Sequence, residues 1–353
     1  MDYKKKIVRM AEKHRFDPSI VIQSVDNSVR QLIGTTVMPP VTLYHYTNVG
    51  GLFGILRSNV LWATHYEYLN DPSEVVQLTQ VAHEIFKQEL DSFPESLRGE
   101  VVSDTPENLR INLMKIFCSI SDLSGHYAPY VISFSTDEDA LGQWRAYADN
   151  GHGYALGFRY ASLVDLVENS NNRVYLWPVF YDQLRQQQLV KSIFNAVFEE
   201  LVGPFFATKS GFVTNEAFRM ALDCMHRLFA MVAPIAKHQA YSEEQEWRIV
   251  VDGIRPEAVL DKYRQTPLPN SPLISQSDNE LEEYNVRVSG RRIIPYTTVH
   301  LPEDKRGDLF DCLVVGPCQR TPSTGPALKL LLHRCGLYPG MLIHESGVPY
   351  RVD

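Results

Sequence analysis

Strand-like segments lie near both ends of this chain, and long helical segments separate them. Apolar alternation and short apolar runs are typical of strands, whereas a repeat of three to four residues is typical of helices. The predicted strands include residues 41–47, 130–135, 246–251, 313–315 and 341–343. We expect an α+β fold, with an N-terminal helical extension over 1–40 and one domain over 41–353. Helical insertions are expected near 73–120 and 184–240.

Composition limits the classes of protein to consider. Of the 353 residues, 44% are hydrophobic, which is enough for a core that needs neither disulfides nor a metal. The net charge of −8 excludes a global basic field for nucleic acid or anionic lipid, although Arg291 and Arg292 form a small local cluster. The five scattered cysteines lack zinc-ligand spacing and are interpreted as reduced thiols.

The N-terminus and the hydropathy pattern predict where the protein resides. Residues 1–15 are basic and lack the apolar core of a signal peptide. No apolar run reaches the ~20 residues that would span a bilayer. We therefore expect a cytoplasmic protein that makes no membrane contact.

Two carboxylates two residues apart give the strongest local signal for chemistry. If residues 244–248 form a strand, Glu244, Glu246 and Arg248 project from one face. In a cleft, repulsion between the carboxylates and their desolvation would raise the proton affinity of one of them, as acid–base chemistry requires. The alternative interpretation is a row of charges on an edge strand, neutralised by Arg248.

Three further segments carry polar or aromatic candidates. His45 lies mid-strand, and it is either a ligand contact or a hydrogen-bonded, half-buried histidine. Ser133 and Ser135 share one face of a strand, where they line a site or are ordinary outward-facing positions. Trp144 lies on the helix that follows, where core packing is the simpler interpretation.

Taken in order, several short motifs resemble a widespread bacterial family of proteins of unknown function. The resemblance extends from about Val41 to Arg351. The motifs are Leu43-Tyr44-His45-Tyr46-Thr47, Leu61-Trp62-Ala63-Thr64, Asn70-Asp71-Pro72-Ser73-Glu74, Ser133-Phe134-Ser135, Gln143-Trp144, Glu244-x-Glu246-Trp247-Arg248 and Ser346-Gly347-Val348-Pro349-Tyr350-Arg351. That family is similar to a distant branch of the ADP-ribosyltransferase fold.

The resemblance implies a fold and a set of site residues. It implies a split, mixed or antiparallel sheet core with large helical insertions. Glu246 matches the catalytic glutamate, and Glu244 precedes it as in the Glu-x-Glu form of the motif. The residues that would bind the cofactor are His45, Tyr46, Thr47, Ser133, Ser135, Trp144 and Arg248. No metal is implied. His45 with a Ser-x-Ser strand mixes two subclasses of that fold, and Tyr46 stands where one subclass has glycine.

The function implied is an NAD-consuming ADP-ribosyltransferase, or an NAD glycohydrolase if water is the acceptor. NAD would be the substrate, the macromolecular acceptor would be a protein or a nucleic acid, and a defence or toxin-like role would fit. One alternative is a non-catalytic module that binds a nucleotide or a protein partner. Another is a metal-independent hydrolase or nuclease that uses His45, Glu244 and Glu246, against which the acidic charge balance argues.

Overall fold

The structure of this chain is a computed structural model. It describes residues 26–27, 29–31, 38–70, 74–93, 105–119, 127–170, 173–199, 215–256, 284–319 and 321–351. Most of the predicted N-terminal extension therefore lies outside the described residues. The same is true of Asp71, Pro72 and Ser73, and of residues 257–283.

Ten strands form one open sheet of mixed direction, which confirms the expectation of a mixed sheet combined with helices. The strands are β1 (Thr42–Thr47), β2 (Val60–His65), β3 (Tyr130–Ser135), β4 (Tyr154–Arg159), β5 (Val174–Pro178), β6 (Glu246–Val251), β7 (Tyr284–Ser289), β8 (Arg292–His300), β9 (Phe310–Val315) and β10 (Leu342–Glu345). All pairings between these strands are antiparallel except that of β9 with β10.

The described helices fall between and around these strands. They are α1 (Val49–Ser58), α2 (Glu74–Ser92), α3 (Pro106–Ser119), α4 (Leu141–Tyr147), α5 (Tyr160–Glu168), α6 (Gln183–Val197), α7 (Asn215–Val232), α8 (Arg306–Leu309) and α9 (Thr324–Arg334). Within the described ranges, no helix is both long enough and apolar enough to cross a membrane.

The chain divides into two compact units. A helical unit comprises 1–35, 76–125 and 183–233, and a sheet unit comprises 36–75, 126–182 and 234–353. In the helical unit, the ring of Phe86 contacts those of Phe117 and Phe194, and the ring of Phe117 also contacts that of Phe229. The ring centroids in these pairs are 4.7 to 5.1 Å apart. Such aromatic pairs stabilise a core beyond the area they bury.

Strand β3 organises the sheet unit because three strands pair with it. Strand β6 runs along one edge of β3 over its whole length. Strands β1 and β2 share the other edge: β2 pairs at Tyr130 and Val131, and β1 pairs only at Ser135. The sheet therefore opens between β1 and β2, where no strand among the described residues pairs with the middle of β3.

Candidate functional site

Strand β6 begins at Glu246, and a 3₁₀ turn over Gln239–Glu244 comes directly before it. Gln245 joins the two with a left-handed backbone, at φ 44°. The expectation that Glu244 lies on the same strand face as Glu246 and Arg248 is therefore wrong. Left-handed backbone interrupts the alternation that a strand requires. The strand predicted over 246–251 itself is confirmed.

Glu246 lies in a buried network of charges with Lys237 and Arg248. The Arg248 Nε donates to Glu246 Oε2 at 2.7 Å, and Lys237 Nζ lies 3.5 Å from Glu246 Oε1. Lys237 also forms an ion pair with Glu244, and Arg248 donates to the carbonyl of Pro234. Lys237, Glu246 and Arg248 are each at most 3% exposed. Burying these charges requires such pairing, since an unpaired buried charge is strongly destabilising.

The two carboxyl groups differ in proton affinity. Burial alone would raise the pKa of Glu246, but Arg248 and Lys237 beside it hold that pKa below its ordinary value. Burial and the negative charge of Glu246 raise the pKa of Glu244, in spite of its bond to Lys237. Of the two carboxyl groups, Glu246 is thus the one held ionised by its cationic partners, and Glu244 has the higher proton affinity.

Three tyrosines lie beside this network of charges, in which the side chain of Glu244 is 23% exposed. Tyr181 accepts a hydrogen bond from the backbone N–H of Glu246 at 3.0 Å. Burial, together with the charges of Glu246 and Glu244, raises the pKa of Tyr147 to about 12. The ring centroid of Tyr241 lies 4.7 Å from Lys237 Nζ. Glu244 is thus the reachable carboxylate of the pair, among aromatic rings.

Ser133 and Ser135 lie directly across from the charged residues of β6. Ser135 pairs in register with Glu246, and Ser133 pairs with Arg248. The Ser135 hydroxyl donates to the carbonyl of Glu244 at 2.9 Å and accepts from the backbone N–H of Asp137 at 3.1 Å. The structure therefore brings Ser135 to the carboxylate pair, where its hydroxyl fixes the turn that carries Glu244.

His45 fills the opening between β1 and β2. Its Nδ1 lies 2.9 Å from the carbonyl oxygen of Ser133 and must donate to it, because a carbonyl only accepts. Its ring contacts Phe134, with centroids 5.7 Å apart. Burial lowers the pKa of His45, so the ring is neutral near pH 7 and its Nε2 remains an acceptor.

His45 and Glu246 are separated by β3. Tyr44, not His45, is in register with Ser135, so Tyr44 shares the face of Ser135 and Glu246. His45 points away from that face, toward Phe134. The structure thus joins the serines to the carboxylate pair and leaves His45 on the other side of β3.

Tyr46 and Trp144 pack against each other in an apolar cluster, with ring centroids 4.8 Å apart. The Tyr46 hydroxyl donates to the carbonyl of Asp137 at 2.8 Å, and the indole of Trp144 donates to Asp139 at 2.7 Å. Trp144 is 0% exposed, so neither face of its ring is open to a ligand. Thr47 ends β1 and is partly buried. These residues support the loop that follows β3.

The C-terminal motif closes on the same loop. The hydroxyl of Ser346 donates to Asp139 at 2.5 Å, and the backbone N–H of Gly347 donates to the other oxygen of that carboxylate at 2.6 Å. Asp139 thereby joins the end of the chain to the loop after β3 and to Trp144. These contacts give Trp144 and the Ser346-Gly347 pair a structural role that does not require a ligand.

Lys237, Tyr181 and Tyr241 belong to the site, but the sequence analysis missed them. Lys237 lies within the helical insertion expected near 184–240, and nothing in the sequence marks it as a buried charge. Of the residues that the structure describes, no group of three or more His, Cys, Asp and Glu side chains is arranged to hold a metal ion.

Comparison with known proteins places part of this site in a recognised domain. No curated protein and no solved structure matches the chain. The segment that includes Lys237, Glu244, Glu246 and Arg248 does match a family, although His45, Ser133 and Ser135 lie outside it. Residues 143–249 match the family described as a protein of unknown function (DUF2971).

Proposed function

We propose that this protein cleaves the bond between nicotinamide and ribose in NAD, acting as an ADP-ribosyltransferase or as an NAD glycohydrolase. The observation that carries the proposal is the Glu244–Glu246 pair around Lys237, in which Glu246 is buried between Lys237 and Arg248 whereas the side chain of Glu244 is 23% exposed. Pairs of acids whose surroundings separate their pKa values are characteristic of acid–base sites. The Ser135 hydroxyl, which fixes this turn, belongs to the motif that suggested the family.

The roles of the two glutamates follow from their exposure. Breaking the C1′–N bond sends its electron pair to nicotinamide and leaves positive charge on the ribose. Glu244, as the reachable carboxylate, would contact the ribose and take the proton from the acceptor hydroxyl that attacks C1′. Glu246, at 3% exposure, would position Lys237 and keep negative charge beside the sugar. The resemblance instead gives the contact with the ribose to Glu246, the residue that matches the catalytic glutamate.

His45 would act at a different part of the nucleotide. Its neutral ring donates from Nδ1 to Ser133 and leaves Nε2 as an acceptor, which suits a ribose hydroxyl or a carboxamide N–H. Because β3 separates it from Glu244, His45 would not contact the same atoms as the carboxylates.

The test is nicotinamide release by the purified full-length chain incubated with NAD. We expect Glu244→Gln to lower release by about a hundredfold or more, the usual contribution of a positioned acid or base. Glu243→Gln is the matched control, because Glu243 is an exposed carboxylate on the same turn. Normal release from folded Glu244→Gln would contradict the proposal.

One observation favours a second function, a non-catalytic nucleotide-sensing or protein-interaction module. Glu246 is engaged by both Lys237 and Arg248, a typical arrangement for a structural ion-pair network. This alternative predicts saturable binding of NAD or a related nucleotide with no nicotinamide released by the wild type, even with cell lysate as acceptor. Calorimetric titration with NAD, run beside the release assay, distinguishes the two functions.

A further inference from the structure

Strands β2, β8 and β7 present an aromatic and basic face that the charge network does not use. Register places Trp62 opposite Thr298 and Thr64 opposite Tyr296, so these side chains share one face. Arg287 lies opposite Ile294, and Arg292 lies opposite Ser289, on that same face of the β7–β8 hairpin. We call Trp62, Tyr296, Arg287 and Arg292 the aromatic–basic face.

The aromatic part of this face is an open stacking surface. The rings of Trp62 and Tyr296 lie 4.6 Å apart, centroid to centroid, with 32° between their planes. Trp62 is 47% exposed, which is unusual for so large an apolar side chain in mid-strand. By contrast, Leu61 and Ala63 on either side of it are at most 1% exposed. Trp62 therefore holds its ring toward solvent, on a rigid strand.

A guanidinium lies beside these rings. Arg287 is 5.7 Å from the Trp62 centroid and donates to the hydroxyl of Thr64 at 2.8 Å. Its Nε is buried without a hydrogen-bond partner among the residues that the structure describes. The guanidinium of Arg287 is thus held beside the Trp62 ring by its hydrogen bond to Thr64.

The charge on these strands opposes that of the whole chain. Strands β2, β7 and β8 contain no Asp or Glu, although the chain carries a net charge of −8. They carry Arg287 and Arg292, and Arg291 lies in the exposed turn between β7 and β8. Positive charge alongside stacking rings is the combination that binds single-stranded nucleic acid with little sequence preference.

We propose that the aromatic–basic face binds single-stranded nucleic acid. A base stacks on Trp62, and Arg287 and Arg292 contact the phosphates that flank it. A duplex would bind more weakly, because its bases are already stacked and paired. The inference goes beyond NAD cleavage and does not rest on it, since binding is measured with no NAD present.

The test is fluorescence anisotropy of the full-length chain with a labelled single-stranded oligonucleotide of mixed sequence. We expect Trp62→Ala to weaken binding about tenfold or more, the usual effect of removing one stacking platform. Arg292→Gln should reduce the slope of log affinity against log salt by about 0.7, the value for one phosphate contact on a single strand.

A matched control comes from another arginine–aromatic pair whose ring is exposed. Arg57 lies 5.3 Å from the ring centroid of Phe53 on α1, and Phe53 is 46% exposed. Phe53→Ala should leave affinity unchanged. Trp62→Leu keeps apolar bulk and guards against misfolding of the alanine variant, and it should weaken binding to a similar extent.

Three results would overturn the proposal. The first is no binding of single-stranded DNA or RNA by the folded wild type at low salt. The second is binding that Trp62→Leu leaves intact. The third is equal affinity for a duplex of the same length, because that would indicate charge attraction alone. Competition by a nucleoside monophosphate that is as strong, per binding site, as competition by the unlabelled oligonucleotide would also contradict the proposal. It would indicate that the aromatic–basic face binds free nucleotides.

Discussion

Strand β6 and the β7–β8 hairpin belong to the same sheet, but their charged residues differ in burial and in ion pairing. On β6, Glu246 and Arg248 have opposite signs and are almost completely buried. On the hairpin, Arg287 and Arg292 have the same sign, Arg287 is partly buried and Arg292 is exposed. Among the described residues no carboxylate forms an ion pair with either arginine of the hairpin, whereas Lys237 completes the network around β6.

The difference follows from the desolvation of charge. A charged group removed from water needs partners that replace its hydration. Lys237, which does not lie on a strand of the sheet, is such a partner for Glu246. A charge that stays near water needs no such partner and remains available to a ligand. We therefore expect substitutions around β6 to change stability most, and substitutions on the hairpin to change binding most.

The largest expected effect is that of Arg248→Met. The substitution leaves Glu246 buried with Lys237 as its remaining cationic partner among the described residues, and it removes a donor from the Pro234 carbonyl. Breaking a buried pair in this way is expected to lower the free energy of unfolding by about 3–5 kcal/mol. Urea denaturation followed by circular dichroism would measure it.

A double variant separates the ion pair from the packing. In Arg248→Met the carboxylate of Glu246 stays buried without its arginine. Adding Glu246→Gln removes that charge and should recover a large part of the lost free energy of unfolding. Arg291→Gln on the exposed turn is the matched surface control, and we expect it to stay within about 0.5 kcal/mol of the wild type. Equal losses from Arg248→Met and Arg291→Gln would show that the comparison between the two regions is wrong.

An intermediate effect is expected at His45, which lies at the opening between β1 and β2. His45→Leu removes the donor to the Ser133 carbonyl and should lower the free energy of unfolding by about 1–3 kcal/mol. His45→Gln retains an N–H donor and should lose less. Urea denaturation at neutral pH measures both variants.

The same histidine gives a pH dependence whose sign is fixed. Burial lowers the pKa of His45 in the folded state, so the unfolded chain binds the proton first as pH falls below the ordinary value of 6.5. The wild type should therefore lose stability below that pH, and His45→Gln should lose less. Arg287 also lowers the pKa of His45, so Arg287→Gln should raise it in an NMR titration. An unchanged or lower pKa of His45 in Arg287→Gln would show that the charge of Arg287 does not act on His45.

The strands were predictable from the sequence because their pattern is local. Alternation and apolar runs identified β1, β3 and β6. The position of Glu244 was not predictable. One left-handed residue, Gln245, moves it off the strand, and glutamine gives little indication of such a backbone.

The partners of the site residues depend on register and on distant parts of the chain. Lys237 becomes a site residue only because the turn over 239–244 folds back beside it. Trp62 meets Arg287 only because β8 lies between β2 and β7 in the sheet. Sequence reasoning identified Arg291 and Arg292 as a local cluster but had no means of placing Trp62 of β2 beside the hairpin.

The smallest expected effect is the coupling between Trp62 and Arg287. An exposed arginine–aromatic contact usually contributes about 0.5–1 kcal/mol, far less than a buried ion pair. A double-mutant cycle with Trp62→Leu, Arg287→Gln and the double variant would isolate it, with the free energy of unfolding as the readout. The same cycle at Phe53 and Arg57 should give a coupling of similar size. A coupling energy above about 2 kcal/mol at Trp62 would mean that Arg287 stabilises the fold, as Arg248 does on β6. It would contradict the interpretation that Arg287 is available to bind a ligand.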